Sequence, residues 1–305
     1  MTRLLITGAT GFIGKACVPL LIEAGYEVHA VSRHIVGEKE SAMQWHRGDL
    51  LSAAGIEGII QQVRPSHCLH LAWTTEPGVF WTSPENLGWL RASVRLAQAF
   101  LDNGGERLVV AGSCTEYMQG HPECDEDSLE LTPHTLYSRC KHSLHLVLDS
   151  WAQQTGCQFA WGRVFYPYGP EQESSRIVPS TIAALLNQQQ ATCRTPHQVN
   201  DFIHVQDVAE AFVRLLDSEA QGCFNISTGT GHSVLETLET VASVLECPEL
   251  IDPNLGLVDS DSLLPQWVGD PARLRDECDW RPRFDLRQGI EHTINAIRTS
   301  EAVTA

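Results

Sequence analysis

Tyr137 and Lys141 stand four residues apart in Leu136-Tyr137-Ser138-Arg139-Cys140-Lys141, and Ser113 stands in Gly112-Ser113-Cys114-Thr115-Glu116-Tyr117. A spacing of four on a helix puts the phenol and the amine on one face. These three types suit the reduction of a carbonyl group, or its reverse. A carbonyl that gains hydride at carbon needs a proton at oxygen. A phenol, with an ordinary pKa of about 10, exchanges a proton poorly at neutral pH. A neighbouring ammonium stabilises the phenolate and lowers that pKa. Lys141 can do this and also hold the ribose of a redox cofactor. The Ser113 hydroxyl can hydrogen-bond the same substrate oxygen and fix its position. Tyr-x-x-x-Lys alone is common by chance, so its meaning depends on the elements around it.

Those elements begin at the N-terminus. Arg3 to Thr7 is a short apolar run, Phe12 to Ala24 is amphipathic, and Tyr26 to Val31 is apolar again, which predicts strand, helix, strand. Gly25 suits the end of that helix. Between strand and helix lies Gly8-Ala9-Thr10-Gly11-Phe12-Ile13-Gly14. Gly8 allows a tight turn. Gly11 lets backbone N–H groups approach a pyrophosphate, and Gly14 lets the helix pack closely on the strand. The spacing predicts a dinucleotide site formed by Gly8, Thr10, Gly11, Phe12, Ile13 and Gly14. An acid at the end of the second strand would bind the adenosine ribose hydroxyls, but here the strand ends in Val31-Ser32-Arg33-His34. Ser32 can donate to a 2′-phosphate and Arg33 can pair with it, which favours NADP(H) over NAD(H). Alternatively Arg33 is a solvated loop charge and the specificity is relaxed. Asp49 and Leu50 follow a strand-like segment, where the Asp side chain could meet the adenine amino group. His67 to Leu71 is an apolar strand leading into Ala72 and Trp73, which are placed with Leu71 to line the nicotinamide half of the site; His70 is a packed strand residue. A helix over Pro84 to Leu101 and a strand over Arg107 to Ala111 continue the alternation, which predicts an α/β fold with a parallel, doubly wound sheet.

Composition narrows the class of ligand. The chain has 305 residues, 21 Lys+Arg against 38 Asp+Glu, and a net charge of −17. No Lys/Arg cluster exceeds two, so a nucleic-acid partner is excluded, while a small anionic substrate held by a few local arginines is not. The ten cysteines show neither C-x-x-C nor a pairing pattern. They suit buried thiols in a reducing cytoplasm, with no metal site. No apolar run is long enough for a membrane span, and the N-terminus lacks a signal-peptide pattern.

With these residues in view, the sequence resembles the extended short-chain dehydrogenase/reductase superfamily, and more narrowly its nucleotide-sugar epimerase/dehydratase branch. The segments that carry the resemblance are TGATGFIG at 7–14, GDL at 48–50, HLAW at 70–73, GSCTEY at 112–117, YSRCK at 137–141, RVFYPYGP at 163–170, DFIHVQDVAEAF at 201–212, FNISTG at 224–229 and WRPRFDLRQGI at 280–290. The resemblance implies a Rossmann domain over 1–165 and a smaller α/β substrate lobe over 166–305, with about 201–216 returning to the first domain. It implies Tyr137 as acid/base, Lys141 as its pKa modulator and ribose anchor, and Ser113 as partner of the substrate oxygen. Tyr166 falls in the segment that passes beneath the nicotinamide, Cys114 is a packing residue, and Thr115 could add a hydroxyl to the sugar site. It also implies a homodimer built on the helices near 84–103 and 136–155, with Trp89, Leu96 and Leu148 either in the contact or buried within the subunit.

Departures from the family pattern bear on the reaction. Dehydratases of this branch carry Asp-Glu where this chain has Cys114-Thr115, and Glu116, one place on, is expected to point away. Many relatives have an arginine where Asn200 stands, and a second near Asp259–Asp261, where this chain is acidic. Arg176 and Arg194 could take over phosphate binding or be surface charges. The expectation is an NADPH-dependent ketone reductase acting on a nucleotide-linked keto-deoxysugar, with an NAD(P)-dependent nucleotide-sugar epimerase, or a reductase of a non-nucleotide carbonyl compound, as the alternatives.

Overall fold

The structure, a computed structural model, describes residues 2–34, 43–117, 124–127, 131–252, 254–255 and 266–304. The family arginine position near Asp259–Asp261 lies outside them. In chain order the elements are β1 (Arg3–Thr7), α1 (Phe12–Glu23), β2 (Glu27–Ser32), β3 (Met43–Arg47), α2 (Ala53–Val63), β4 (His67–His70), α3 (Glu85–Asp102), β5 (Arg107–Ser113), α4 (Leu136–Thr155) and β6 (Gln158–Val164). There follow β7 (Tyr166–Tyr168), α5 (Ile177–Leu186), β8 (Val199–Asn200), β9 (Phe202–His204), α6 (Val205–Asp217), β10 (Gly222–Ile226), β11 (His232–Ser233), α7 (Val234–Val244), β12 (Gln266–Trp267), α8 (Ala272–Cys278) and α9 (Leu286–Thr304).

Seven strands form one parallel sheet in the order β10-β6-β5-β4-β1-β2-β3. Their apolar character follows from burial on both faces. Side chains alternate across β1, so Leu4 and Ile6 join a core with Cys17 and Leu21 of α1 and Val208 and Phe212 of α6. Leu5 faces the other side, with Ile56 and Ile60 of α2, Phe100 of α3 and Leu144 of α4. This is the Rossmann-like, doubly wound α/β arrangement. A separate core joins Ile182 of α5, Leu238 and Val241 of α7 and Ile290 of α9. Besides α6, β10 and α8 also pack with the main sheet, through Phe224, Ile226 and Leu274. Sequence pattern assigned neither piece, because a five-residue strand and a seven-residue helix carry little periodicity.

Two local differences from the sequence reading matter. β5 runs two residues past Ala111, because β6 supplies partners as far as Ser113↔Val164. Ser113 is therefore fixed by the ladder rather than by a loop. Leu96 and Leu148 are each 2% exposed and belong to the core between α3, α4 and the sheet, so neither is part of a contact patch. The exposed apolar side chains on these helices are Leu87, Leu146 and Val147. All ten cysteines are free thiols. Among the described residues no helix is long and apolar enough to cross a membrane.

Candidate active site

The turn after β1 is shaped by two glycines. Gly8 has φ +76°, and a Cβ there would lie 2.9 Å from the Ala72 nitrogen, so the turn can nest against the end of β4 only without a side chain. At Gly14 a Cβ would meet Gly8 O at 2.1 Å and Ala9 Cα at 2.7 Å. Gly14 thus brings α1 onto the turn itself, rather than onto the strand as the sequence reading had it. The Gly11 N–H donates to Gly8 O at 2.9 Å and closes the turn. No side chain caps α1, whose first residues line the cleft. An uncapped helix start beside a cradle that a Cβ would fill fits the pyrophosphate of a dinucleotide.

This turn opens on a cavity of about 1380 Å³ that runs between the sheet and the second lobe. Drug-sized sites measure roughly 300–1,000 Å³, so the space can hold a dinucleotide and a second ligand together. Every residue proposed from the sequence as catalytic, cofactor-binding or substrate-binding lines it. Gly8, Thr10, Gly11, Phe12, Ile13 and Gly14 form one end, with Ser32, Arg33, Asp49 and Leu50 beyond them. Leu71, Ala72, Trp73 and Tyr166 line it as well, with Ser113, Thr115, Tyr137 and Lys141, and so do Arg176 and Arg194. Ser32 Oγ accepts from the His34 N–H at 3.3 Å, Arg33 is exposed, and Asp49 Oδ1 accepts from the Leu51 N–H at 3.0 Å.

Ser113 ends β5, and its Oγ lies 3.0 Å from Thr115 Oγ1. Its side chain lies near enough to Tyr137 to act on the phenol. Tyr137 and Lys141 lie one turn apart on the buried face of α4, which begins at a capping box formed by Thr135 and Ser138. Burial pushes the Tyr137 phenol above its ordinary pKa, and the Ser113 hydrogen bond and the Arg176 guanidinium act to lower it. Burial also pulls the Lys141 amine down to about 7, and the Glu116 carboxylate opposes this. Lys141 Nζ donates to Ala111 O at 2.8 Å.

Glu116 does turn away from the cleft. It is wholly buried and accepts from the Ser113 N–H at 2.8 Å, from Trp161 Nε1 at 3.0 Å and from Arg163 Nε at 3.2 Å. Potential ligand atoms of Glu116, His142 and His145 lie within 4.8 Å of one another. The carboxylate, however, already neutralises a buried guanidinium, so the cluster is an ion pair rather than a cation site. His70 is also spoken for: Nδ1 meets Thr7 Oγ1 and Nε2 meets Ser93 Oγ, each at 2.7 Å. Burial pulls its pKa down to about 3, so it is a neutral, packed strand residue.

One wall of the site escaped the sequence reading. The segment between β4 and α3 folds back over Tyr137, whose ring meets Phe80, Trp81 and Trp73 edge-on at centroid distances of 4.9, 5.8 and 6.3 Å. Asn86, 2% exposed, organises it: Nδ2 donates to Phe80 O and Ser83 O, and Oδ1 accepts from Trp73 Nε1. The Tyr137 N–H donates to Trp81 O. Three tryptophans and a phenylalanine in seventeen residues (73–89) were the available signal, but they follow no period. Arg176, starting α5, donates to Thr75 O at 3.2 Å and lies over Phe80, so it ties the second lobe to this wall. Arg194 is exposed at the rim. Asn200 is buried, and its Oδ1 accepts from Gln198 Nε2 at 3.0 Å.

A parallel doubly wound sheet, a glycine turn at its first helix and a Ser/Tyr/Lys set in the same cleft define a nicotinamide-dependent oxidoreductase of the extended short-chain dehydrogenase/reductase class. The model of the NAD-dependent epimerase/dehydratase family matches residues 4–227, and the chain belongs to that family. It is 23% identical to UDP-glucuronic acid decarboxylase 1 of Arabidopsis thaliana, over 97% of this chain and 70% of that protein. It is 24% identical to the UDP-glucose 4-epimerase of Corynebacterium glutamicum, over 95% and 94% of the two chains. The crystal structure of the Thermus thermophilus UDP-glucose 4-epimerase in complex with NAD superposes with a TM-score of 0.82 at 27% identity, covering 97% of this chain and 99% of that one.

Proposed function

We propose that the protein acts on a nucleotide-linked sugar by hydride exchange at a carbinol carbon, and that it is an epimerase. The observation that carries this is the Ser113/Tyr137/Lys141 set in a cavity whose neighbouring positions, Cys114 and Thr115, hold no carboxylate. Elimination of water would need a carboxylic acid and base beside the sugar, and the next carboxylate, Glu116, is bound to Arg163. Likeness to epimerases along nearly the whole chain points the same way. A bound nicotinamide supplies the hydride acceptor and donor. Tyr137 takes the proton from the substrate hydroxyl and returns it to the ketone, Ser113 holds that oxygen, and Lys141 holds the cofactor ribose beside the phenol. Arg176 and Arg194 bind the substrate phosphates, and Thr115 adds a hydrogen bond to the sugar. Arg194 would grip its phosphate from the solvent side.

Ketone reduction with NADPH is the second reading, and Ser32 and Arg33 favour it. No acid stands at the end of β2 to repel a 2′-phosphate, and the Arg33 guanidinium is free to reach one. Both readings are tested by mixing the protein, the cofactor and a panel of UDP- and dTDP-linked sugars while following absorbance of the reduced nicotinamide. Sugar conversion without absorbance change supports epimerisation. Steady loss with keto-sugars overturns it in favour of reduction. Arg33→Ala should weaken NADP(H) binding by roughly tenfold or more and NAD(H) binding little, as measured by calorimetry, because one charge-assisted phosphate contact is removed. Equal effects on the two would rule out the NADP assignment. We also infer a homodimer through α3 and α4, where Leu87, Leu146 and Val147 are exposed, and sedimentation measures it directly.

A further inference from the structure

Lys141 is 4% exposed, so its amine is largely desolvated where it lines the cavity. Among the described residues Nζ has one hydrogen-bond acceptor, Ala111 O. The charged and titratable groups that face it are few. Glu116, from the turn after β5, acts on it but is itself matched to Arg163. His70, from β4, is neutral with both ring nitrogens bonded. Tyr137 on the same helix is protonated, and Arg176 faces Tyr137 from α5. What remains against the ammonium is the indole face of Trp73, whose ring centroid lies 4.0 Å from Nζ. That ring cannot swing away. Its Nε1 donates to Asn86 Oδ1 at 2.8 Å, Asn86 is tied to Phe80 O and Ser83 O, and Trp89 stacks on it at 28°.

We propose that Trp73 is a positioning residue that keeps the Lys141 amine charged inside the cavity, with Asn86 fixing the indole. A desolvated ammonium over an indole is among the stronger cation–π arrangements, because water no longer competes for the charge. The ring face favours the protonated amine and so opposes the downward pull of burial. Weakening it should therefore lower the Lys141 titration midpoint further. The effect on proton delivery rests on the reading of Tyr137 and Lys141 as a catalytic pair, but the titration itself does not.

The chain has three lysines, Lys15, Lys39 and Lys141. In cofactor-free protein labelled at lysine Cε with carbon-13, the resonance missing from Lys141→Met identifies Lys141, and its midpoint can be read directly. Replacing the eight tryptophans biosynthetically with fluorinated tryptophans keeps the shape and weakens the ring face. The midpoint should fall in steps with fluorination, and in Trp73→Leu by about one pKa unit, a tenfold change in the ratio of charged to neutral amine. Trp73→Phe should give a smaller fall. A purely packing role for Trp73 would leave the midpoint in place, and an unchanged or raised midpoint in the fluorinated protein overturns the proposal. If Trp73→Leu does not fold, the fluorinated series and Trp73→Phe decide. A lowered midpoint together with an unmoved pH–rate profile would leave this inference standing and remove Lys141 from proton delivery.

Discussion

Tyr137→Phe is expected to lower kcat/KM by about 10²–10⁴-fold, the usual contribution of a positioned proton donor, while the fold survives. Only a hydroxyl is removed. The ring keeps its edge contacts with Phe80, Trp81 and Trp73, and the backbone N–H still reaches Trp81 O. What is lost is the proton carrier itself, a phenol that burial makes a weaker acid and that Ser113 and Arg176 act on in the opposite direction. Thermal stability should lie within a few degrees of wild type, and the dinucleotide should bind with similar affinity, because Lys141 and the glycine turn are untouched. Calorimetric binding and a melting curve thus separate this variant from an unfolded one. Turnover at the wild-type rate would mean that another group moves the proton and would overturn the role given to Tyr137. Conversely, Ser113→Ala should weaken turnover less, since it removes a hydrogen bond to the substrate oxygen and leaves the proton donor in place.

The glycine turn and the Tyr137/Lys141 pair were legible in the sequence because their constraints are local. A turn that must leave a strand and start a helix, and two side chains one helical turn apart, are fixed by spacing alone. The aromatic wall was not legible. Phe80, Trp81 and Trp73 converge because Asn86 gathers three groups of an irregular segment, and no period records such a convergence. The position of β10 at the sheet edge is likewise a tertiary choice, set by the free side of β6. Glu116 is an intermediate case. Ser113-Cys114-Thr115-Glu116 has the Ser-x-x-Glu spacing of a capping box, and the structure contains that box. The spacing could have placed the carboxylate on the Ser113 N–H. Its other partners, Trp161 and Arg163, lie 45 and 47 residues away and could not be read from the motif.

Those distant partners make Glu116 the residue whose loss should cost most stability. Glu116→Gln keeps an oxygen for the Ser113 N–H and the Trp161 indole but removes the charge opposite Arg163. Both side chains of that pair are at most 1% exposed, and Arg163 Nη1 already has no hydrogen-bond partner. An unpaired guanidinium at this depth cannot be rescued by water. The face of Tyr117, 4.5 Å away, is its other support. Breaking a buried pair on one side costs about 3–5 kcal/mol, so the urea midpoint should fall sharply and the protein should be poorly folded near 37 °C. Arg163→Met alone should also be destabilising, because it strands the carboxylate. The double variant Glu116→Gln/Arg163→Met should recover much of the loss, since an apolar chain of similar length fills the space without a charge to solvate. Simple additivity of the two losses would show that the residues act independently and that the ion pair is not what holds this end of β5. Where the Gln variant remains folded at low temperature, the Ser113 N–H keeps a side-chain acceptor. Its turnover should then fall far less than that of Tyr137→Phe, which divides the support of the site from its chemistry.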